Sequence, residues 1–197
     1  MAIDAKQVKD LRMKTGAGMM DCKKALVEVE GDFEKAITYL REQGISKAGK
    51  RQGRATAEGL ITTYVHTGDK LAVMVEINCE TDFVARTDNF RAFTRDVAMH
   101  IAASAPLCVT REELDQESIE KERDVYRQQA LNDGKPEKIV DKIVDGRIDK
   151  YYGEVVLMEQ PFVKDSDKTI EDFVKEMIAS LGENIRIARF TRYCLGD

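Results

Sequence analysis

The chain has 197 residues, of which 43% are hydrophobic and 34% charged; 31 basic against 36 acidic side chains leave a net charge of −5. These proportions predict a water-soluble protein of one or two domains, and the acidic balance argues against a general nucleic-acid coat. No run of ~18 apolar residues is present to span a membrane, and the opening Met1-Ala-Ile-Asp-Ala-Lys6 lacks the basic and apolar blocks of a secretory signal.

The charge divides the chain. Residues 1–54 hold 12 Lys/Arg and 8 Asp/Glu, whereas residues 55–197 hold 19 and 28. The sign changes at Gly44-Ile-Ser-Lys-Ala-Gly-Lys-Arg-Gln-Gly-Arg54, with three glycines, four basic residues and no acidic one. Such a stretch is expected to be a solvated basic linker between a small head, 1–54, and a larger body, 55–197. In the head, Val8 and Leu11 share a helical face, with Asp4 placed to cap the N-terminus. Thr15-Gly-Ala-Gly18 breaks that helix. A second helix is predicted from about Met19 to Glu30, with Cys22, Ala25, Leu26 and Val29 at i, i+3, i+4 and i+7. Gly31-Asp32 stops it and caps a third, striped by Phe33, Ala36, Ile37 and Leu40. Three helices in so short a segment make a marginal core, better suited to docking than to chemistry.

The body opens with a predicted hairpin. Ile61, Thr63 and Val65 alternate with Thr62, Tyr64 and His66, and Thr67-Gly-Asp-Lys70 makes the turn. On the return strand Leu71, Val73, Val75, Ile77 and Cys79 face one way, and Ala72, Met74, Glu76 and Asn78 the other. A long helix follows, capped by Thr87 or Asp88, with Phe90, Phe93, Val97 and Ile101 as its buried stripe. Residues 111–152 read as a helical hairpin interrupted at Asn132-Asp-Gly-Lys-Pro136. A last helix carries Ile170, Phe173, Val174 and Ile178 and ends near Gly182, and a closing strand spans Ile185 to Tyr193. This order predicts an α+β fold: a three-helix N-terminal domain and a core domain of antiparallel sheet and helices.

Few residues are arranged for catalysis. Cys22, Cys79, Cys108 and Cys194 stand too far apart for a disulfide framework or a zinc module, so a reduced, cytoplasmic protein is the simplest expectation. Only His66 and His100 could add imidazole ligands, and no metal or cofactor is expected. Gly44-x-x-x-x-Gly49-Lys50 has the spacing of a phosphate loop, but Arg51 stands where Ser or Thr should be and the segment follows a helix. The basic linker lacks interleaved aromatics to stack bases, so no direct nucleic-acid contact is expected.

The unusual segment is Asn78-Cys-Glu-Thr-Asp-Phe-Val-Ala-Arg86, where a strand ends, a helix begins and an Asp stands beside a large aromatic. Two interpretations stay open. In one, Thr81 or Asp82 caps a helix beside a core Phe83. In the other, Phe83 protrudes as a wedge that inserts into a partner, with Asp82 acting on that partner's electrostatics.

Four segments carry a resemblance. Thr15-Gly-Ala-Gly-Met-Met-Asp-Cys-Lys-Lys-Ala-Leu26 and Asn78-Cys-Glu-Thr-Asp-Phe-Val-Ala-Arg86 are similar to the two signatures of the bacterial elongation factor Ts family. Glu159-Gln-Pro-Phe-Val163 and Arg189-Phe-Thr-Arg-Tyr193 resemble its C-terminal region. The resemblance covers essentially the whole chain and favours the wedge. It implies a guanine nucleotide exchange factor for elongation factor Tu, with no covalent catalytic residue and a ubiquitin-associated-like fold for the head. Carried over, Thr81, Asp82, Phe83 and Val84 match the segment that dislodges the partner's Mg²⁺, and Arg12, Met19, Met20 and Lys23 match the head's partner contacts. Met19 and Met20 also suit an adaptable contact on their own chemistry, although the head's own core could claim one of them. Only one copy of the hairpin-helix unit is found, so resemblance to short-form members implies a homodimer, with Cys194 a candidate for its interface.

Overall fold

The computed structural model describes residues 3–51 and 53–196, with side chains at 45–48 and 50 outside that description. The elements in order are α1 (Ala5–Thr15), α2 (Met19–Glu28), α3 (Phe33–Arg51), β1 (Glu58–Val65), β2 (Leu71–Cys79), α4 (Asp82–Ala85) and α5 (Asp88–Ser104). They continue with α6 (Gln116–Asn132), α7 (Glu137–Val155), β3 (Pro161–Phe162), β4 (Asp165–Thr169), α8 (Ile170–Leu181) and β5 (Ile185–Cys194). Strands β1, β2 and β5 form a three-stranded antiparallel sheet in the order β1-β2-β5. The fold is α+β, as the element order predicts. Two compact units divide the contacts: Met1–Leu60 with Ile77–Phe93 and Asp172–Arg186, and Ile61–Glu76 with Thr94–Glu171 and Ile187–Asp197.

The first unit holds the three N-terminal helices. Asp4 caps α1 by accepting the Lys6 amide at 3.1 Å, and Gly16 ends it at φ +67°, a conformation that favours glycine. Asp32 accepts the Lys35 amide at 3.0 Å to start α3. Val8, Leu11, Cys22, Ala25, Leu26 and Ala36 form the shared core.

One expectation changes here. The backbone from Gly44 to Arg51 continues α3 as helix, where an irregular connector is expected, and this also disposes of the phosphate loop. Gln52 lies outside the described residues. The reason for Gly44 is packing. A Cβ at Gly44 would come within 2.9 Å of the Ala179 methyl on α8, so the missing side chain lets two helices approach closely. Nearby, Arg51 Nη1 donates to the Ile178 carbonyl at 3.1 Å, and Arg41 Nε lies 3.9 Å from Glu176. Such packing offsets the roughly 1 kcal/mol that each helical glycine costs.

In the second unit the hairpin turn forms at Gly68 and Asp69, with the His66 amide bonded to the Leu71 carbonyl at 2.8 Å. Thr62 donates to Thr94 of α5 at 2.8 Å. Helices α6 and α7 make the expected helical hairpin around Ile119, Ala130, Val140, Val144 and Ile148. Arg111 fixes its base, forking onto Glu159 and stacking 4.0 Å from the Tyr152 ring centroid. The small β3–β4 pair has no forerunner in the sequence, because a two-residue strand is too short to show alternation.

His100 is fully buried. Its Nδ1 accepts the Val163 amide at 3.2 Å, which leaves Nε2 as the protonated nitrogen facing Gln160 Oε1 at 2.9 Å. Burial pushes its pKa below the ordinary 6.5.

Two outcomes follow from this packing. Gly44→Leu overfills the α3–α8 contact and is expected to lower unfolding free energy in urea by about 1–3 kcal/mol. Because folding holds His100 neutral, its contribution is complete above about pH 6.5 and is lost as the pH falls below that value. Melting curves between pH 7.5 and 5.5 are therefore expected to show a decline in the wild type that flattens in His100→Gln; equal slopes would remove His100 as its source.

Candidate functional site

The segment after β2 is built from the strand outward. Val73, Val75, Ile77 and Cys79 are all buried, as the alternation predicts, so the strand enters the turn with its side chains fixed. Gly59 in β1 secures this end: at φ +149° it lies so close that a Cβ would fall 2.2 Å from the Ile77 carbonyl oxygen. No other residue fits there.

At the turn, hydrogen bonds hold Thr81 on both sides of its Cα and tie the Glu80 side chain to residue 184. The buried Cys79 thiol donates to the Thr81 carbonyl at 3.2 Å. Burial pushes that thiol's pKa up to about 11, the Glu183 carboxylate adding to the shift, so it remains a protonated donor. Thr81 sends both its donors to one carboxylate: its amide to Glu183 Oε2 at 3.0 Å and its hydroxyl to Glu183 Oε1 at 2.6 Å. Glu80 Oε1 in return accepts the Asn184 amide at 2.6 Å. Asn184 Nδ2 then donates to the Arg54 carbonyl at 2.9 Å, and Arg54 Nη1 reaches Glu80 at 3.5 Å.

Helix α4 stands on this base. Thr81 is its N-cap, its hydroxyl accepting from the Val84 amide at 3.4 Å. That assigns the cap between the two residues considered for it: Asp82 is the first helical residue. The Asp82 carboxylate instead pairs with Arg86 at 2.8 Å across one turn, with both groups partly exposed. Ala85 points inward and is buried, whereas Phe83 is 80% exposed. A core Phe83 is thereby excluded. A wholly apolar ring on a one-turn helix gains almost nothing from its own fold.

The head's candidate residues surround the Gly16–Gly18 break. Arg12 lies on α1, and Met19, Met20 and Lys23 lie on α2; all four are exposed. Neither methionine serves the head's core, which Cys22, Ala25 and Leu26 supply from α2. Met13, 76% exposed, adds an apolar group on α1 that sequence reasoning passed over. These residues and Thr81–Val84 belong to the same compact unit. Among the described residues, no three His, Cys, Asp or Glu side chains converge as metal ligands, and no helix is long and apolar enough to cross a membrane.

Comparison with known proteins identifies the family. The family model described as Elongation factor TS matches residues 18–197. The chain belongs to the elongation factor Ts family. It is 55% identical over 197 residues to elongation factor Ts of Geobacter metallireducens, covering 100% of this chain and 91% of the relative. Over 195 residues it is 57% identical to that of Desulforamulus reducens, covering 99% and 90%. With that of Maridesulfovibrio salexigens it shares 57% identity over 197 residues, covering 100% and 96%. In this member of the elongation factor Ts family, the residues that sequence reasoning missed are Glu80, Glu183 and Asn184. No local pattern marks Glu183 as the partner of Thr81, 102 positions away.

Thr81 both caps α4 and anchors it, so its hydroxyl is separable from its size. Thr81→Val is expected to lower unfolding free energy by about 1–2 kcal/mol, with Thr81→Ser close to wild type. Urea denaturation of the two variants checks this.

Proposed function

We propose that the protein is a guanine nucleotide exchange factor for elongation factor Tu in translation elongation, acting in the cytoplasm without making or breaking a covalent bond. The observation that carries the proposal is Phe83: an exposed aromatic ring on a one-turn helix whose base is held by hydrogen bonds. The chain's family supports the partner.

The mechanism is differential binding. In the GDP complex of the partner, the bound Mg²⁺ bridges phosphate and protein ligands and is a dominant local charge. Phe83, carried by Thr81, Asp82 and Val84, wedges partner elements apart, so the Mg²⁺ ligands lose the geometry that holds GDP. Burial of the ring supplies the main driving force, because a centrally buried aromatic can account for several kcal/mol of an interface. Asp82 contributes less, since Arg86 already neutralises part of its charge. Arg12, Met19, Met20 and Lys23 make the docking contact of the three-helix segment 1–54, and 55–197 serves as the core domain. Linkage requires reciprocity: whatever factor weakens GDP also weakens the exchanger when GDP is bound. A ~10³-fold effect corresponds to about 4 kcal/mol of coupling.

The proposal includes a homodimer. Ile61, Val65, Met74 and Tyr193 project from the strands into solvent, with Tyr193 73% exposed. These apolar groups on the sheet's strands favour a second copy as their cover. Cys194 follows at the strand end as a free, partly exposed thiol.

Release of labelled GDP from elongation factor Tu is expected to accelerate strongly on adding this protein, and Phe83→Ala is expected to lose most of that acceleration while melting near the wild-type temperature. Near-normal release with Phe83→Ala would end the wedge mechanism. No acceleration by the wild type would end the assignment itself.

A further inference from the structure

We propose that Glu183 is a positioning residue for nucleotide exchange: its carboxylate sets the direction in which Phe83 leaves the surface. The inference rests on the exchange function proposed above.

Helix α4 cannot hold its own direction. It has four residues, far fewer than a helix needs to be stable by itself, so its axis is set by what grips its first turn. Beside the weaker Cys79 thiol bond to the Thr81 carbonyl and the buried Ala85 methyl, the charge-assisted part of that grip is one carboxylate. Glu183 accepts the Thr81 amide on Oε2 and the Thr81 hydroxyl on Oε1, a two-point attachment that fixes the residue's rotation as well as its place. The same hydroxyl accepts from the Val84 amide, so Glu183 orients the group that starts the helix bearing Phe83. The reverse bond, from the Asn184 amide to Glu80, stops the two chain segments from sliding past one another.

The location of Glu183 argues that the clamp is its purpose. It follows Gly182, whose φ of +80° ends α8 and whose amide bonds the Ile178 carbonyl at 3.0 Å. A negative charge just beyond a helix C-terminus opposes the helix dipole, so α8 gains nothing from an acidic residue there. The bonds to Thr81 are what it gains. A glutamine at 183 could still accept the Thr81 amide with its carbonyl and donate to the hydroxyl oxygen with its amide. Alanine could do neither, and aspartate is one methylene too short.

Two measurements on the full chain test this. In the free protein, Glu183→Ala is expected to speed hydrogen exchange at the Val84, Ala85 and Arg86 amides about tenfold, leaving amides of α1–α3 at wild-type protection. In GDP release from elongation factor Tu, titrated with exchanger, Glu183→Ala is expected to lower the saturating rate about tenfold with the half-saturating concentration little changed, since docking through the head is untouched. Glu183→Gln is expected to restore the rate. In a Phe83→Ala background Glu183→Ala should cause no further loss, because it acts only through the ring.

Wild-type amide protection in Glu183→Ala would overturn the proposal, and so would a wild-type rate or an additive loss in the double variant. If Glu183→Ala loses protection throughout the chain, Glu183→Asp, which keeps the charge, is judged by the same readouts. Failure of the exchange function itself is seen separately, as no acceleration of GDP release by the wild type, and failure of the wedge alone as near-normal release with Phe83→Ala, while the hydrogen-exchange result stands or falls alone.

Discussion

The exchange of carboxylates between residues 80–81 and 183–184 is the constraint on which the exposed end of the molecule depends. Glu183 takes both donors of Thr81 and Glu80 takes the Asn184 amide, so each segment satisfies the other's polar groups. Charge-assisted hydrogen bonds of this kind are shorter and stronger than neutral ones, and two in opposite senses fix a register that one would leave free to pivot. Without them a one-turn helix with an apolar ring at its tip would rejoin the strand-end loop. With them it is a rigid projection.

Helix α8 extends that rigidity to the N-terminal helices. Its C-terminal end leads directly into the Glu183 clamp, and its flank receives α3 at the Gly44–Ala179 contact and the end of α1 at Ser180, whose hydroxyl donates to the Gly16 carbonyl at 3.5 Å. The exposed groups of α1 and α2 and the exposed ring of α4 therefore share one support. A surface whose separated contact points are already spaced loses less conformational freedom on association than one that must assemble them. If those groups are the docking contacts of the proposed function, the Gly44–Ala179 packing also sets their spacing.

Much of this was legible in the sequence, and what was hidden follows a physical division. Period and alternation report which face of an element is buried, so the stripe of Phe90, Phe93, Val97 and Ile101 and the alternation of β2 were visible in advance. Caps announce themselves locally, as Asp4 and Asp32 did. Gly44 misled because a glycine that opens a turn and one that admits a neighbouring helix are the same letter; only the position of Ala179 separates them. Asp82 and Thr81 were equally good caps on paper, and the backbone chose the one whose hydroxyl could also reach Glu183. Pairings across a hundred residues leave no periodic trace, which is why the candidate site was visible at Phe83 and invisible at its support.

The energetics of the site are separable from those of the fold. Phe83 contributes little to stability in the free chain, since most of its surface stays in water. The structure is held instead by buried groups elsewhere, including Leu11 and Leu26 in the head, Phe90 and Phe93 on α5, and the T-shaped contact between Phe93 and Phe173 at 5.0 Å. An apolar side chain kept in water by a rigid base retains its hydrophobic driving force until something else covers it. The free energy that a conventional core residue would spend on folding is thus still available at position 83, which is what the proposed wedge and the proposed role of Glu183 in aiming it both require.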